Sequence, residues 1–249
     1  MKRRTALALL FSGLALTLSS CGLLGDELPT YRYRLTVEVD TPEGLKSGSS
    51  VIEARTEVAD KPILPDANTL DIRVTGEAVT IDLGKRGLLF ALLRSDDAVG
   101  WAGGVMELVT PHPPYVAGEN AYRGWHRAML ANKGLHELPR NSTSTLQPWQ
   151  HPEPVATPRD FPMLVRFSNI ADPTTVLGVD PDNLAAAFGQ GVKLRRMTVE
   201  LTDDPVTYGI GEKLGWLNTS SDSGLDRIIG VTANPTLAQR LSFLDFRKD

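Results

Sequence analysis

Cysteine is almost missing from this chain. Cys21 is the one thiol in 249 residues, so no disulfide can form within the molecule and its core must hold by packing alone. Long apolar runs are missing too. The richest, Ala6 to Leu18, is broken by Ser12, Gly13 and Thr17 and falls short of the roughly 20 residues a membrane-spanning helix needs. There is no excess of positive charge: 26 Lys and Arg stand against 30 Asp and Glu, which argues against a nucleic-acid partner. The chain also lacks Gly-x-Ser-x-Gly, Ser-x-x-Lys and His-Glu-x-x-His, so the common serine-hydrolase and helical zinc motifs are not there to be read.

What is present is clearest at the start. Lys2, Arg3 and Arg4 precede the short apolar run, and Leu18-Ser19-Ser20-Cys21-Gly22 follows it. A charged start, a short apolar segment and small residues before a cut describe a secretory signal. The Leu-Ser-Ser-Cys segment resembles the lipobox of bacterial lipoprotein precursors. That resemblance implies cleavage before Cys21, a diacylglycerol on its sulfur and a membrane anchor of acyl chains; two or three chains hold stably where one does not. Residues 1–20 are thus expected to be a signal peptide and residues 21–30 a tether. Loss of Lys2, Arg3 and Arg4 would leave 23 basic and 30 acidic residues, a net −7, so anionic lipid adds no electrostatic grip. Gly22 stands where an aspartate would signal inner-membrane retention in enteric bacteria, which favours the outer membrane.

The body reads as α+β. Tyr31, Tyr33, Leu35, Val37 and Val39 alternate with Arg32, Arg34, Thr36, Glu38 and Asp40, the period-2 pattern of a half-buried strand. Thr41-Pro42-Glu43-Gly44 is turn chemistry. The alternation of Ile52, Ala54, Thr56 and Val58 then predicts the second arm of an antiparallel hairpin. Further strands are expected at 70–74, 79–83, 88–93 and Trp101–Val109, the segment from Leu88 to Leu93 being apolar throughout and so buried on both faces. Residues 31–110 therefore predict a sandwich-like antiparallel sheet. Residues 111–160 predict a helix from Glu119 to Lys133 ended by Gly134 and a long Pro- and Ser-rich loop. Residues 161–249 predict a mixed part packed on the same body: strands at Met163–Phe167 and Val192–Thr202, the latter with edge character, a helix capped by Asp180 and ended by Gly189, and a last helix from Asn234-Pro235 through Leu237, Leu241 and Leu244.

Candidate chemistry is thin. His112, His126, His136 and His151 share no metal-ligand spacing. Gly209-Ile210-Gly211-Glu212-Lys213-Leu214-Gly215 resembles a nucleotide loop only loosely, its third glycine one place late, and reads better as a turn into a short helix. Asp96-Asp97, Asp180, Asp182 and Asp203-Asp204 supply carboxylates of the kind glycoside chemistry uses in pairs, without a partner named by spacing. Tyr31, Tyr33, Trp101, Tyr122, Trp125 and Trp216 fit core positions, with Tyr115, Tyr122 and Trp125 a candidate exposed patch. No cofactor, metal or catalytic residue is assigned, and the one site residue is Cys21, for lipid attachment.

The segments Tyr33–Gly44, Gly48–Glu53 and Val199–Thr207 are similar to an uncharacterised group of proteobacterial proteins, many with lipoprotein signals. The resemblance spans most of the chain after Cys21 and implies a location but no reaction. The expectation is a lipid-anchored protein on the periplasmic side of a membrane, binding another envelope protein or a small ligand, with a periplasmic hydrolase using carboxylate or serine chemistry as the alternative.

Overall fold

The computed structural model describes residues 26–58, 70–111, 113–114, 116–117, 120–140, 161–218, 225 and 234–249. Cys21, His112, Tyr115, His151 and nearly all of the expected Pro- and Ser-rich loop at 140–160 lie outside them. The chain enters on β1 (Asp26–Glu27), then forms the hairpin β2 (Tyr31–Thr41) and β3 (Gly44–Val58). β2 alternates as expected: Tyr33, Leu35, Val37 and Val39 are fully enclosed, while each intervening residue is part-exposed. Enclosing each of Leu35, Val37 and Val39 is worth about 1.5–3 kcal/mol. Thr41 pairs with Gly44 across Pro42-Glu43, which sets the register for all eleven residues of β2.

β3 outruns β2 at its far end. There β1 pairs with Glu57 and Val58, Leu28 donates its amide to the Thr56 carbonyl, and the Leu28 side chain is buried. Residues 26–30, read from the sequence as part of the tether, thus lie against β3 at their first three positions.

β4 (Leu70–Glu77) pairs with the second half of β3, and β5 (Val79–Asp82) follows after Ala78 as a strand of a second sheet with β6 (Leu88–Ala91). β6 is buried on both faces as the apolar run predicts: Leu89 and Ala91 join the core beneath the hairpin, and Phe90 and Leu92 join a second core on the opposite side.

The expected strand at Trp101–Val109 is instead helical: α1 (Trp101–Gly104) runs into a 3₁₀ turn over Val105–Val109. Its buried residues are Trp101, Ala102, Val105 and Met106, whose spacing is that of one helical face rather than of a strand. Gly103 marks close packing, because a Cβ there would meet Ile72 Cγ2 at 2.8 Å. The Tyr31 and Tyr33 hydroxyls donate to the Gly103 and Ala102 carbonyls, fixing this turn on β2.

α2 (Ala121–Ala131) begins at Asn120, whose side chain accepts from the Tyr122 amide. It is followed by the short β7 (His136–Glu137), then by β8 (Leu164–Phe167), β9 (Val176–Gly178) and α3 (Leu184–Phe188). α3 starts later than the Asp180-Pro181 signal implies. Asn183 caps it by accepting from the Ala186 amide, while Asp180 accepts from the Asp182 amide and closes a preceding turn; Gly189 ends the helix as expected.

β10 (Lys193–Leu201) pairs with β2 along its length and with β7 at only Thr198 and Val199, which accounts for its edge-like composition. A register shift between Leu194 and Arg196 lets two successive arginines act on one face, Arg195 on Asp40 and Arg196 on Glu38.

The C-terminal segment adds α4 (Ile210–Lys213), α5 (Leu237–Arg240) and β11 (Arg247–Lys248). The long last helix read from Leu237, Leu241 and Leu244 is one turn only. Thr236 and Gln239 form a reciprocal cap, Leu241 is already extended, and Leu244 is exposed because a new 3₁₀ turn starts at Ser242. The result is α+β: a seven-stranded sheet with the order β11-β4-β3-β2-β10-β7 and β1 alongside β3, and a four-stranded sheet β5-β6-β8-β9, with the helices mostly in the C-terminal half. Among the described residues no helix is long and apolar enough to cross a membrane.

Candidate functional site

Two cavities of similar size open on the surface. One, about 380 Å³, lies at the start of β2 and is lined by Tyr31, Arg32, Glu53, Lys133, Thr202 and Asp203 among others. Arg32 is tied to Glu53 at 2.7 Å, so two of its charges neutralise each other. The other, about 390 Å³, lies between β8, β9 and α5, with Asp96 and Arg240 as its charged walls. A pocket that joins Asp203 or Asp204 to a histidine would favour a hydrolase. The lining of the Asp203 cavity holds none, and Asp204 is ion-paired with Arg34.

The remaining carboxylates are dispersed. Asp182 pairs with Arg140 at 3.1 Å, Asp180 closes its turn, and Asp96 faces a different cavity from Asp203. Among the described residues no three His, Cys, Asp or Glu side chains gather as a metal site.

The glycine loop at 209–215 does open into a short helix, α4. The amides of Gly209 and Ile210, which would face a phosphate in a nucleotide loop, both donate to Glu77 Oε2, at 2.8 and 2.9 Å. The position for an anion is filled by the protein's own carboxylate. Burial raises the Glu77 carboxyl against the opposing pull of those two amides.

A group of ionisable and polar side chains is buried under α2, where no motif points. Tyr31 and Tyr33 enter from β2, Thr56 from β3, Glu107 from the 3₁₀ turn after α1, and Tyr122 and His126 from α2. Burial is the first cause of the upward displacement of all three phenols. Glu107 as a whole residue is part-exposed, yet its carboxyl is packed round by protein, and burial pushes it up to about 7, with contact to Tyr122 pulling the other way. His126 is held below its ordinary value by burial, opposed by its hydrogen bond to the Pro29 backbone. Its ring lies edge-on to Tyr31, with centroids 5.8 Å apart. The Tyr122 hydroxyl, Thr56 Oγ1 and His126 Nε2 are buried without a well-formed hydrogen bond. The sequence signal for this cluster is Glu107 itself, a lone carboxylate within Val105-Met106-Glu107-Leu108-Val109.

Of the aromatic residues named from the sequence, Trp125 and Trp216 are part-exposed and packed against the two cores, Tyr115 lies outside the described residues, and the rest are core. Tyr31, Tyr33, Trp101 and Tyr122 are buried, and Trp216 closes a cluster with Phe167, Phe243 and Phe246 while its indole N–H donates to the Ile170 carbonyl. His136 is in β7, a different element from His126, and the two are not brought together in one cavity lining described above.

Comparison with protein families, with characterised proteins and with solved structures finds no match to this chain.

Proposed function

We propose that this chain is a lipoprotein of a bacterial envelope, anchored through acyl chains on Cys21 to the periplasmic face of a membrane, and that it acts by binding an envelope partner rather than by catalysis. The observation that carries the reading is the run from Lys2 to Gly22, in which charged start, apolar segment and Leu-Ser-Ser-Cys stand in register. The sulfur of Cys21 is the only atom in the chain that can form the thioether. The dispersal of Asp96, Asp182, Asp203 and Asp204, described above, favours binding over carboxylate hydrolysis. Gly22 favours the outer membrane.

Metabolic labelling with a palmitate analogue, followed by fractionation, tests the anchor. The wild type is expected to carry label and sediment with membranes, whereas Cys21→Ala carries none and loses that association. Equal labelling of the two overturns the reading.

A further inference from the structure

The cavity at the start of β2 carries a charge balance of its own. Its volume of about 380 Å³ falls within the range of about 300–1,000 Å³ usual for small-molecule sites. Four charged side chains line it: Arg32 from β2, Glu53 from β3, Lys133 from just past α2 and Asp203 from just past β10. Arg32 and Glu53 are spent on one another at 2.7 Å. Beside them Arg34 takes up both Glu200 and Asp204. Lys133 and Asp203 are left over. Among the described residues neither side chain makes an ion pair or a hydrogen bond, with the other or with any third group.

The backbone under each of the two is fixed. Next to Lys133, the Asn132 side chain donates to the Val109 carbonyl at 3.1 Å. On its other side Gly134, with φ 114°, takes the left-handed conformation that turns the chain out of the helix. Next to Asp203, the Thr202 amide donates to the Arg32 carbonyl, and the Thr202 hydroxyl accepts from the Asp204 amide. One cation and one anion thus stand on held backbone at the wall of one cavity, both exposed to water.

The wall is not polar throughout. Leu130 and Leu201, both part-buried against the main core, contribute to it together with Tyr31, whose hydroxyl is already engaged by the Gly103 carbonyl. These groups offer apolar surface to an aliphatic chain. The formal charges of the lining cancel, Arg32 against Glu53 and Lys133 against Asp203. A simple anion placed there would meet Lys133 but also the like charge of Asp203, and a simple cation would meet the reverse. A ligand that carries both signs satisfies both.

We infer that this cavity is a binding site for a small zwitterion with an aliphatic side chain, an amino acid or a short peptide, whose carboxylate meets Lys133 and whose ammonium meets Asp203. The inference does not use the anchor at Cys21, and it adds a small ligand to the envelope partner proposed above.

Isothermal titration calorimetry of the full-length protein in detergent, with L-leucine and with L-leucyl-L-leucine as probes, tests it. Circular dichroism establishes the fold of each variant. One-to-one binding of at least one probe is expected, and the probe that binds tells a free amino acid from a peptide. Lys133→Gln and Asp203→Asn, both at exposed positions, are each expected to weaken binding about tenfold or more, the fold-change of one charge-assisted hydrogen bond. N-acetylation of the bound probe removes its ammonium. It is expected to weaken binding to the wild type by a similar factor and to cost little further in Asp203→Asn, a non-additivity that marks direct pairing of the two groups. The inference is overturned if neither probe binds, if either substitution leaves binding unchanged, or if acetylation costs as much in Asp203→Asn as in the wild type.

Discussion

Gly48→Ala is expected to destabilise the protein by about 3 kcal/mol, near the upper end of what overpacking ordinarily costs. Gly48 sits in β3 where β5 crosses it. A Cβ added there would lie 2.1 Å from the Thr80 carbonyl oxygen and 2.9 Å from the Thr80 carbonyl carbon, with Ile81 Cγ1 at 3.2 Å. The first two obstacles are backbone, and no rotamer change can move them. Relief requires the two sheets to part, and that opens the core between Leu35 and Val37 on one side and Val79 and Ile81 on the other, all fully enclosed. Gly104→Ala is the matched control: nothing lies within 4 Å of the added carbon there, and a change within about 0.5 kcal/mol is expected, as for substitutions that disturb no packing. Urea unfolding of the three proteins measures both. A Gly48 variant as stable as the control would mean that the sheets do not approach as described.

The second large effect concerns pH. The Glu107 carboxyl is raised from its ordinary 4.5 to about 7 by burial. A carboxyl raised in the folded state prefers to keep its proton there, so folding is most favoured below about pH 4.5. Its contribution is lost as pH climbs from 4.5 through 7, because the unfolded chain ionises first and the folded one must then carry a buried charge. A shift of this size corresponds to a loss on the order of 2–3 kcal/mol across that window. The phenols of Tyr31, Tyr33 and Tyr122 stay protonated throughout, and His126, also depressed by burial, opposes the trend at the acid end by resisting protonation. Glu107→Gln keeps the shape and removes the titration. The expected outcome is a flatter stability profile between pH 5 and 8, with the variant matching or exceeding the wild type at pH 8. Parallel profiles for the two proteins would show that Glu107 is not the group responsible.

How much of this was legible in the residues depends on whether a local pattern was also the global one. β2 was readable because one face meets the core and the other meets water, so a two-residue period survives folding. β6 was readable for the opposite reason, since both faces are buried and the run is apolar throughout. Trp101–Val109 misled because Trp101, Ala102, Val105 and Met106 give too short a sample to separate a helical face from a buried strand, and the paired glycines hid the helix. The last helix misled because Leu237, Leu241 and Leu244 hold the right spacing while Ser242 and Asp245 start a second cap that interrupts it. At the sites, the Gly209 loop turns into a short helix as read, but the group its amides hold, Glu77, comes from a strand 132 residues earlier, and no local reading finds such a pair. The buried Glu107 cluster escaped for the same reason: its members arrive from four separate segments, and only burial makes them a group.

The proposed location of this protein depends on Cys21. Intact-mass and peptide analysis of the amino terminus of the protein purified from its native membrane measures it most directly. The predicted result is a chain that starts at Cys21 and carries the mass of a diacylglycerol on sulfur, with or without a further acyl group on the new amine. A chain that still holds residues 1–20, or that starts at Cys21 with a free thiol, would contradict the account.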